Sequence, residues 1–324
     1  MSYPQHTFEL RISFDPSNKS SRASKQDVLQ WLPAHGIDEF VEGFMEGLDI
    51  DHEYTGPSDR DFYAELGGDL LPVSVYKYSR ELLEDLQVKL SKDFGSKIVL
   101  EIIAMETSEW LEGWKESFKP IQTELFYIYP PWDDETKIPK NKIPILVEPG
   151  MAFGTGQHGT TQVCLRKLES LSLQKLPLQT WRLCDVGTGT GILAIGAKFL
   201  GFKSVVGTDI DPDAITAALN NAVMNKISIP FWQGSAPVLG VEGRPEFAPP
   251  FDVVVANILF VVLEKIVGNL AQITRPGGLL ILSGILAEDA DIMIGLATQE
   301  GLNLVGQGEL EGWACLTFTP RPKP

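Results

Sequence analysis

Two glycine-rich stretches carry most of the chemistry legible in this chain. Glu148–Thr161 reads EPGMAFGTGQHGTT, and 24 residues after Thr161 comes Asp185–Gly191, DVGTGTG. A backbone without Cβ atoms can lie directly against a ligand, so two such loops imply one small, densely functionalised molecule that both approach. Asp209, 18 residues past Gly191, ends the run SVVGTD, and a carboxylate placed there can accept hydrogen bonds from ribose hydroxyls. Asn257 ends FDVVVAN. Its amide oxygen, with a nearby carbonyl, could accept from an amine and aim the nitrogen lone pair at an electrophilic methyl, which is catalysis by orientation. Each feature also has a plainer role. A G-x-G-x-G can be turn chemistry alone, Asp211-Pro212-Asp213 has the pattern of a helix N-cap, and Asn257 could cap a helix starting near Leu259.

Residues of this kind need strands that end where loops begin. Trp181–Val186 has strand character and Ile192–Leu200 helical character, so the glycines of DVGTGTG fill a strand-to-helix turn, a ligand crevice in an open parallel sheet. A dinucleotide fingerprint requires G-x-G-x-x-G, whereas Gly187, Gly189 and Gly191 are spaced as G-x-G-x-G, so the match to a nicotinamide site is poor. Beyond Asn257 the pattern predicts a helix over Leu259–Ile273, a turn at Arg275–Gly278, a strand over Leu279–Ser283 and a helix over Glu288–Glu300. An edge hairpin follows, Leu302–Gly308 with Trp313–Thr319. The result is an α/β fold with a mostly parallel sheet of seven strands.

The first hundred residues read differently. Strands over Thr7–Phe14, Glu39–Leu48, Val73–Tyr78 and Lys97–Ala104 and helices over Lys25–His35 and Ser79–Phe94 give βαββαβ, the order of a ferredoxin-like α+β sandwich. Leu82, Leu83, Leu86, Leu90 and Phe94 should line its second helix, and Asp49–Asp69 a long loop. Three segments follow: a small domain over 1–104, a linker region over 105–145 and a larger domain over 146–320. In the linker, Trp110, Trp114 and Phe118 form an aromatic stripe on a short helix. Pro130, Pro131, Pro139 and Pro144 then punctuate an irregular approach to the first loop.

The formal net charge of −16 is unevenly spread, because residues 1–104 hold 10 Lys/Arg against 19 Asp/Glu. Such a surface disfavours nucleic acid and attracts a basic protein. No run is apolar enough to cross a membrane, no basic-then-apolar leader opens the chain, and three scattered cysteines build no disulfide framework, so a cytoplasmic location is expected. The four histidines make no metal-ligand spacing with the cysteines. His158, inside the first loop, could help deprotonate an amine or simply pack.

Taken together, DVGTGTG, Asp209 and Asn257-Ile258-Leu259 resemble the class I methyltransferase core, a Rossmann-like fold that binds S-adenosylmethionine. EPGMAFGTGQHGTT, with NIL and Ser283-Gly284-Ile285-Leu286, is similar to the PrmA family, which methylates the eleventh protein of the large ribosomal subunit. The likeness spans Trp110 to Glu311. It implies trimethylation of lysine ε-amines and an N-terminal α-amine, with a separate N-terminal recognition domain. It also implies donor contacts at Thr161, Gly187, Gly189 and Asp209, with Asn257 near the transferred methyl and Phe153, Gly154 and Thr155 closing over the donor. Where the family has Pro after the loop histidine and a small residue after NIL, this chain has Gly159, expected to loosen the loop, and Phe260, expected to narrow the substrate mouth. A lysine methyltransferase of another protein, a nicotinamide-dependent oxidoreductase and a non-catalytic adaptor for a ribosomal protein stand as alternatives.

Overall fold

A computed structural model describes residues 6–14, 21–35, 37, 40–42, 72–77, 79–106, 119–148, 154, 156 and 158–321. The chain divides into two compact units, Met1–Phe118 and Lys119–Pro324.

The first unit contains β1 (His6–Ser13), α1 (Ser21–Ala34), β2 (Val41–Glu42), β3 (Val73–Lys77), α2 (Arg80–Phe94) and β4 (Val99–Glu106). Its sheet has the order β2-β3-β1-β4 and is antiparallel throughout. Alternate residues of β1 and β3 meet the helices: Leu10, Ile12, Val73 and Val75 are buried with Val28, Leu32, Leu83, Leu86, Leu90 and Phe94. Leu82, expected on the buried stripe, is half exposed, because its position falls a residue outside the 3.6-residue repeat of the others. Residues 43–71 and 107–118, which include the expected loop, most of the second strand and the aromatic stripe, lie outside the described residues.

In the second unit, residues expected to approach the first loop irregularly form a three-stranded sheet of β5 (Ile121–Gln122), β6 (Phe126–Tyr129) and β7 (Ile143–Leu146). The strands are short and Pro144 lies inside β7, so neither alternation nor length marked them in the sequence. Next come α3 (Gly159–Leu173), β8 (Arg182–Val186), α4 (Ile192–Phe199), β9 (Ser204–Asp209), α5 (Pro212–Met224) and β10 (Phe231–Gln233). The chain ends with β11 (Phe251–Asn257), α6 (Phe260–Ile273), β12 (Thr274–Leu286), α7 (Ala290–Gln299), β13 (Leu302–Leu310) and β14 (Trp313–Pro320).

The large sheet has the order β10-β9-β8-β11-β12-β14-β13. It is parallel from β10 to β12, and β14 runs antiparallel to both neighbours. Val253, Val254, Val255 and Ala256 are all fully buried, alternately in the cores on the two faces of the sheet. That is why the sequence reads there as an unbroken apolar run. β12 begins at Thr274, earlier than expected, because Thr274 pairs with Phe251 before the ladder resumes at Val253 and Leu279. Glu311 and Gly312, both at positive φ, make the two-residue turn of the β13–β14 hairpin.

Candidate functional site

Register decides which residues meet. Asp185 of β8 is level with Val255 of β11 and with Gly207 of β9. Gly187, Asn257 and Asp209 each lie two residues further along, so all three emerge together at the carboxyl edge of adjacent parallel strands, where open α/β sheets hold ligands.

Gly187 takes φ +72, and its N–H donates to the Thr208 carbonyl at 2.8 Å. A Cβ on it would collide with Cγ2 of Ile258. Gly284, at φ +84, faces the same residue from the other side, where a Cβ would overlap the Ile258 carbonyl group. The Asn257-Ile258 corner is therefore wedged between two glycines.

Asp209 is more engaged than its sequence position suggests. Its Oδ2 accepts the Gly189 N–H at 2.9 Å and its Oδ1 the Asp211 N–H at 3.0 Å. The carboxylate thus braces the second loop, and each oxygen keeps a further lone pair for a ligand. Burial holds its carboxyl above the ordinary range, against the pull of these bonds. Asp211 caps α5 by accepting the Asp213 N–H at 2.8 Å, with Pro212 in the first turn.

Asp185, read in sequence only as the start of the glycine loop, is a second acid of the site. Fully buried, its Oδ2 accepts from Thr188 Oγ1 at 2.7 Å and from the Ala194 N–H at 3.2 Å. Its Oδ1 is buried without a partner among the described residues. Burial pushes its carboxyl up to about 7, with the Asp209 charge adding to the effect. The signal in the sequence was an acid set inside the apolar run Trp181–Val186, where charged side chains are rarely left unpaired.

Asn257 does not cap α6, whose N-cap is Leu259 without a side-chain bond. It is the last residue of β11, buried, and its Nδ2 donates to Thr161 Oγ1 at 3.4 Å. Its Oδ1 is buried and unpartnered among the described residues. Thr161, fully buried in the first turn of α3, thereby joins the end of the first loop to β11.

His158 is the N-cap of α3. Its Nδ1 accepts the Thr160 N–H at 3.4 Å and lies 2.8 Å from Thr160 Oγ1, and its ring sits 4.8 Å from that of Trp313. Burial lowers its pKa, with Glu311 opposing. Gly159 opens α3, and a Cβ there would approach the Leu310 carbonyl at 3.1 Å and Glu311 Oε2 at 3.2 Å, so glycine lets the β13–β14 turn pack onto the helix start. Phe260 packs against the core beside β11 and is only partly exposed.

Gly154 of the first loop is held to the second, since Thr190 Oγ1 donates to the Gly154 carbonyl at 2.6 Å, with Gly154 at φ +99. Phe153 and Thr155 lie outside the described residues. The structure therefore brings Gly154, Thr161, Gly187, Gly189, Asp209 and Asn257 to one strand edge, and adds Asp185 and Thr190.

A family model described as ribosomal protein L11 methyltransferase (PrmA) matches residues 68–321. The ribosomal protein L11 methyltransferase of Geobacter sulfurreducens is 38% identical over 218 residues, 67% of this chain and 68% of its own length. That of Geotalea uraniireducens is 32% identical over 296 residues, 80% of this chain and 92% of its own. Among solved structures, a ribosomal protein L11 methylase from Lactobacillus delbrueckii subsp. bulgaricus is 30% identical, with a TM-score of 0.54 over 63% of this chain and 100% of that one.

Proposed function

Because this chain belongs to the ribosomal protein L11 methyltransferase (PrmA) family, we propose that it transfers methyl groups from S-adenosylmethionine to lysine ε-amines and the N-terminal α-amine of ribosomal protein L11. The donor supplies a methyl carbon already activated by its sulfonium, so the protein has to orient a neutral amine and exclude water. The residues present fit that donor. Gly187 and Gly189 give the turn its positive-φ backbone, Asp209 has lone pairs for ribose hydroxyls, and the Oδ1 of Asp185, unpartnered among the described residues, suits a nearby cationic group. Gly154 and Thr161, with Phe153 and Thr155, are the first loop's contribution.

The observation that carries the reading is the Oδ1 of Asn257, buried and unpartnered among the described residues. An unsatisfied acceptor of this kind costs about 1–3 kcal/mol, and it is tolerated where a donor arrives during function. In the proposed role it takes an N–H of the substrate amine and turns the nitrogen lone pair toward the methyl. Residues 1–104, acidic by 19 carboxylates to 10 cations, would receive the basic ribosomal protein, and the unit from Lys119 onward would carry the transfer site. That substrate places the enzyme in the cytoplasm.

The decisive experiment is incubation of the protein with methyl-labelled S-adenosylmethionine and purified L11. Label should appear on lysine side chains and the amino terminus by mass spectrometry. Label on a different protein would keep the chemistry and replace the substrate, while donor binding without transfer to any candidate would leave a non-catalytic adaptor.

Asp185 adds a pH dependence. Its folded pKa of about 7 lies above the ordinary 3.8, so the stability linked to its proton is full below that ordinary value and is lost as pH rises through about 7. A cationic donor favours the ionised form. Affinity for S-adenosylmethionine should therefore tighten between about pH 6 and about pH 8, with protons released on binding at the lower end. Calorimetry in two buffers of different ionisation enthalpy reads this release, and Asp185→Asn should remove it. Equal release in that variant would assign the proton to another group.

A further inference from the structure

Asn221 lies on α5 and is 1% exposed, and its side chain bridges the two glycine loops. Its Oδ1 accepts the Glu148 N–H at 2.9 Å and its Nδ2 donates to the Thr190 carbonyl at 2.9 Å. Glu148 is the first residue of EPGMAFGTGQHGTT, and Thr190 sits between Gly189 and Gly191. Thr190 in turn holds Gly154 through its hydroxyl. The first loop is thus tied to the second at two points, and the two ties meet at Thr190. This approach depends on Gly191: a Cβ there would lie 3.1 Å from Cβ of Ala218, on the same face of α5 as Asn221.

At the C-cap of α5, Asn225 treats β7 in a similar way. Its Oδ1 accepts the Leu146 N–H at 2.9 Å, and its Nδ2 donates to the Leu146 carbonyl at 2.6 Å and to the Asn221 carbonyl at 2.8 Å. Asn225 therefore fixes the strand that enters the loop, whereas Asn221 fixes the loop to its counterpart. The bridge needs an amide, because one end must accept and the other must donate. A carboxylate would set an acceptor against the Thr190 carbonyl, and alanine would leave both backbone groups unpaired.

We propose that Asn221 is a positioning residue that sets the spacing between the two glycine loops and through it the affinity for the methyl donor. The proposal rests on the reading that these loops hold S-adenosylmethionine. Asn221 acts through Glu148 and Thr190 and does not touch the reacting amine, so donor binding should respond and the chemical step should not.

Full-length Asn221→Asp, Asn221→Ala and Asn225→Ala test it, with donor Kd by calorimetry, kcat and KM on L11, and Tm for each. Both Asn221 variants should raise donor Kd and KM about tenfold, on the scale of a lost buried hydrogen bond, with kcat at saturating donor within about threefold of wild type. Asn225→Ala, which loses a similar set of bonds, should lower Tm comparably and leave donor Kd within about threefold. The nearly isosteric Asn221→Asp serves if the alanine variant does not fold. Wild-type donor affinity in Asn221→Asp overturns the inference alone, as does donor affinity that merely tracks Tm across the three variants. A folded wild-type protein that binds no donor overturns the functional reading and this inference with it.

Discussion

Replacing Gly187 by alanine should raise the dissociation constant for S-adenosylmethionine roughly a hundredfold. Two penalties add. The backbone at φ +72 costs an L-residue about 1–2 kcal/mol, and the new methyl must displace Ile258 from a packed corner, an overpacking cost of about 1–3 kcal/mol. Cγ2 is attached directly to the Ile258 Cβ, so it can move only by turning χ1 or shifting the backbone that carries Asn257. The ligand loop and the proposed amine acceptor would be disturbed together. Adding Ile258→Ala to the variant should recover about tenfold of the loss, because it relieves the collision and leaves the positive φ. Calorimetry on the single and double variants measures both quantities. A Gly187→Ala protein that binds donor within about threefold of wild type would remove this glycine from the site.

Asn257→Ala should divide the effects the other way. If its Oδ1 orients the amine, kcat should fall about 10²- to 10³-fold, the range for removing one pre-positioned polar group, while donor Kd rises by less than about fivefold. Stability is the useful control. Among the described residues the wild-type side chain makes one long 3.4 Å bond and leaves a buried oxygen unsatisfied, so its removal should leave the urea midpoint unchanged or raised, as expected where function is bought with stability. Steady-state rates on L11, donor titration and urea unfolding of the same preparation separate the three. Equal losses in kcat and donor affinity would make Asn257 a donor contact only.

Much of this site was legible in the sequence because its parts are local. The glycines of DVGTGTG, the acid ending SVVGTD and the amide ending FDVVVAN each sit where a strand gives way to a turn, and a strand's end is visible in one dimension. What was hidden depends on register or on burial. Asp185 stood in plain view, yet its near-neutral carboxyl follows from both faces of β8 being covered, which only the assembled sheet supplies. Asn221 resembles any polar residue on an amphipathic helix until Glu148 and Thr190 are seen on either side of it. His158 could have been a base or a packing residue, and its Nδ1 accepts the Thr160 N–H as a helix cap. β5 to β7 escaped notice for a different reason, since strands of two to four residues are too short to establish a period.

The wedging of Ile258 between Gly187 and Gly284 has an evolutionary corollary. A corner with no room on either flank admits almost no substitution, so mutation cannot easily retune it for a new acceptor. The corner is then like a casting die: rigid in itself, it would be fitted to different workpieces by whatever holds them in place.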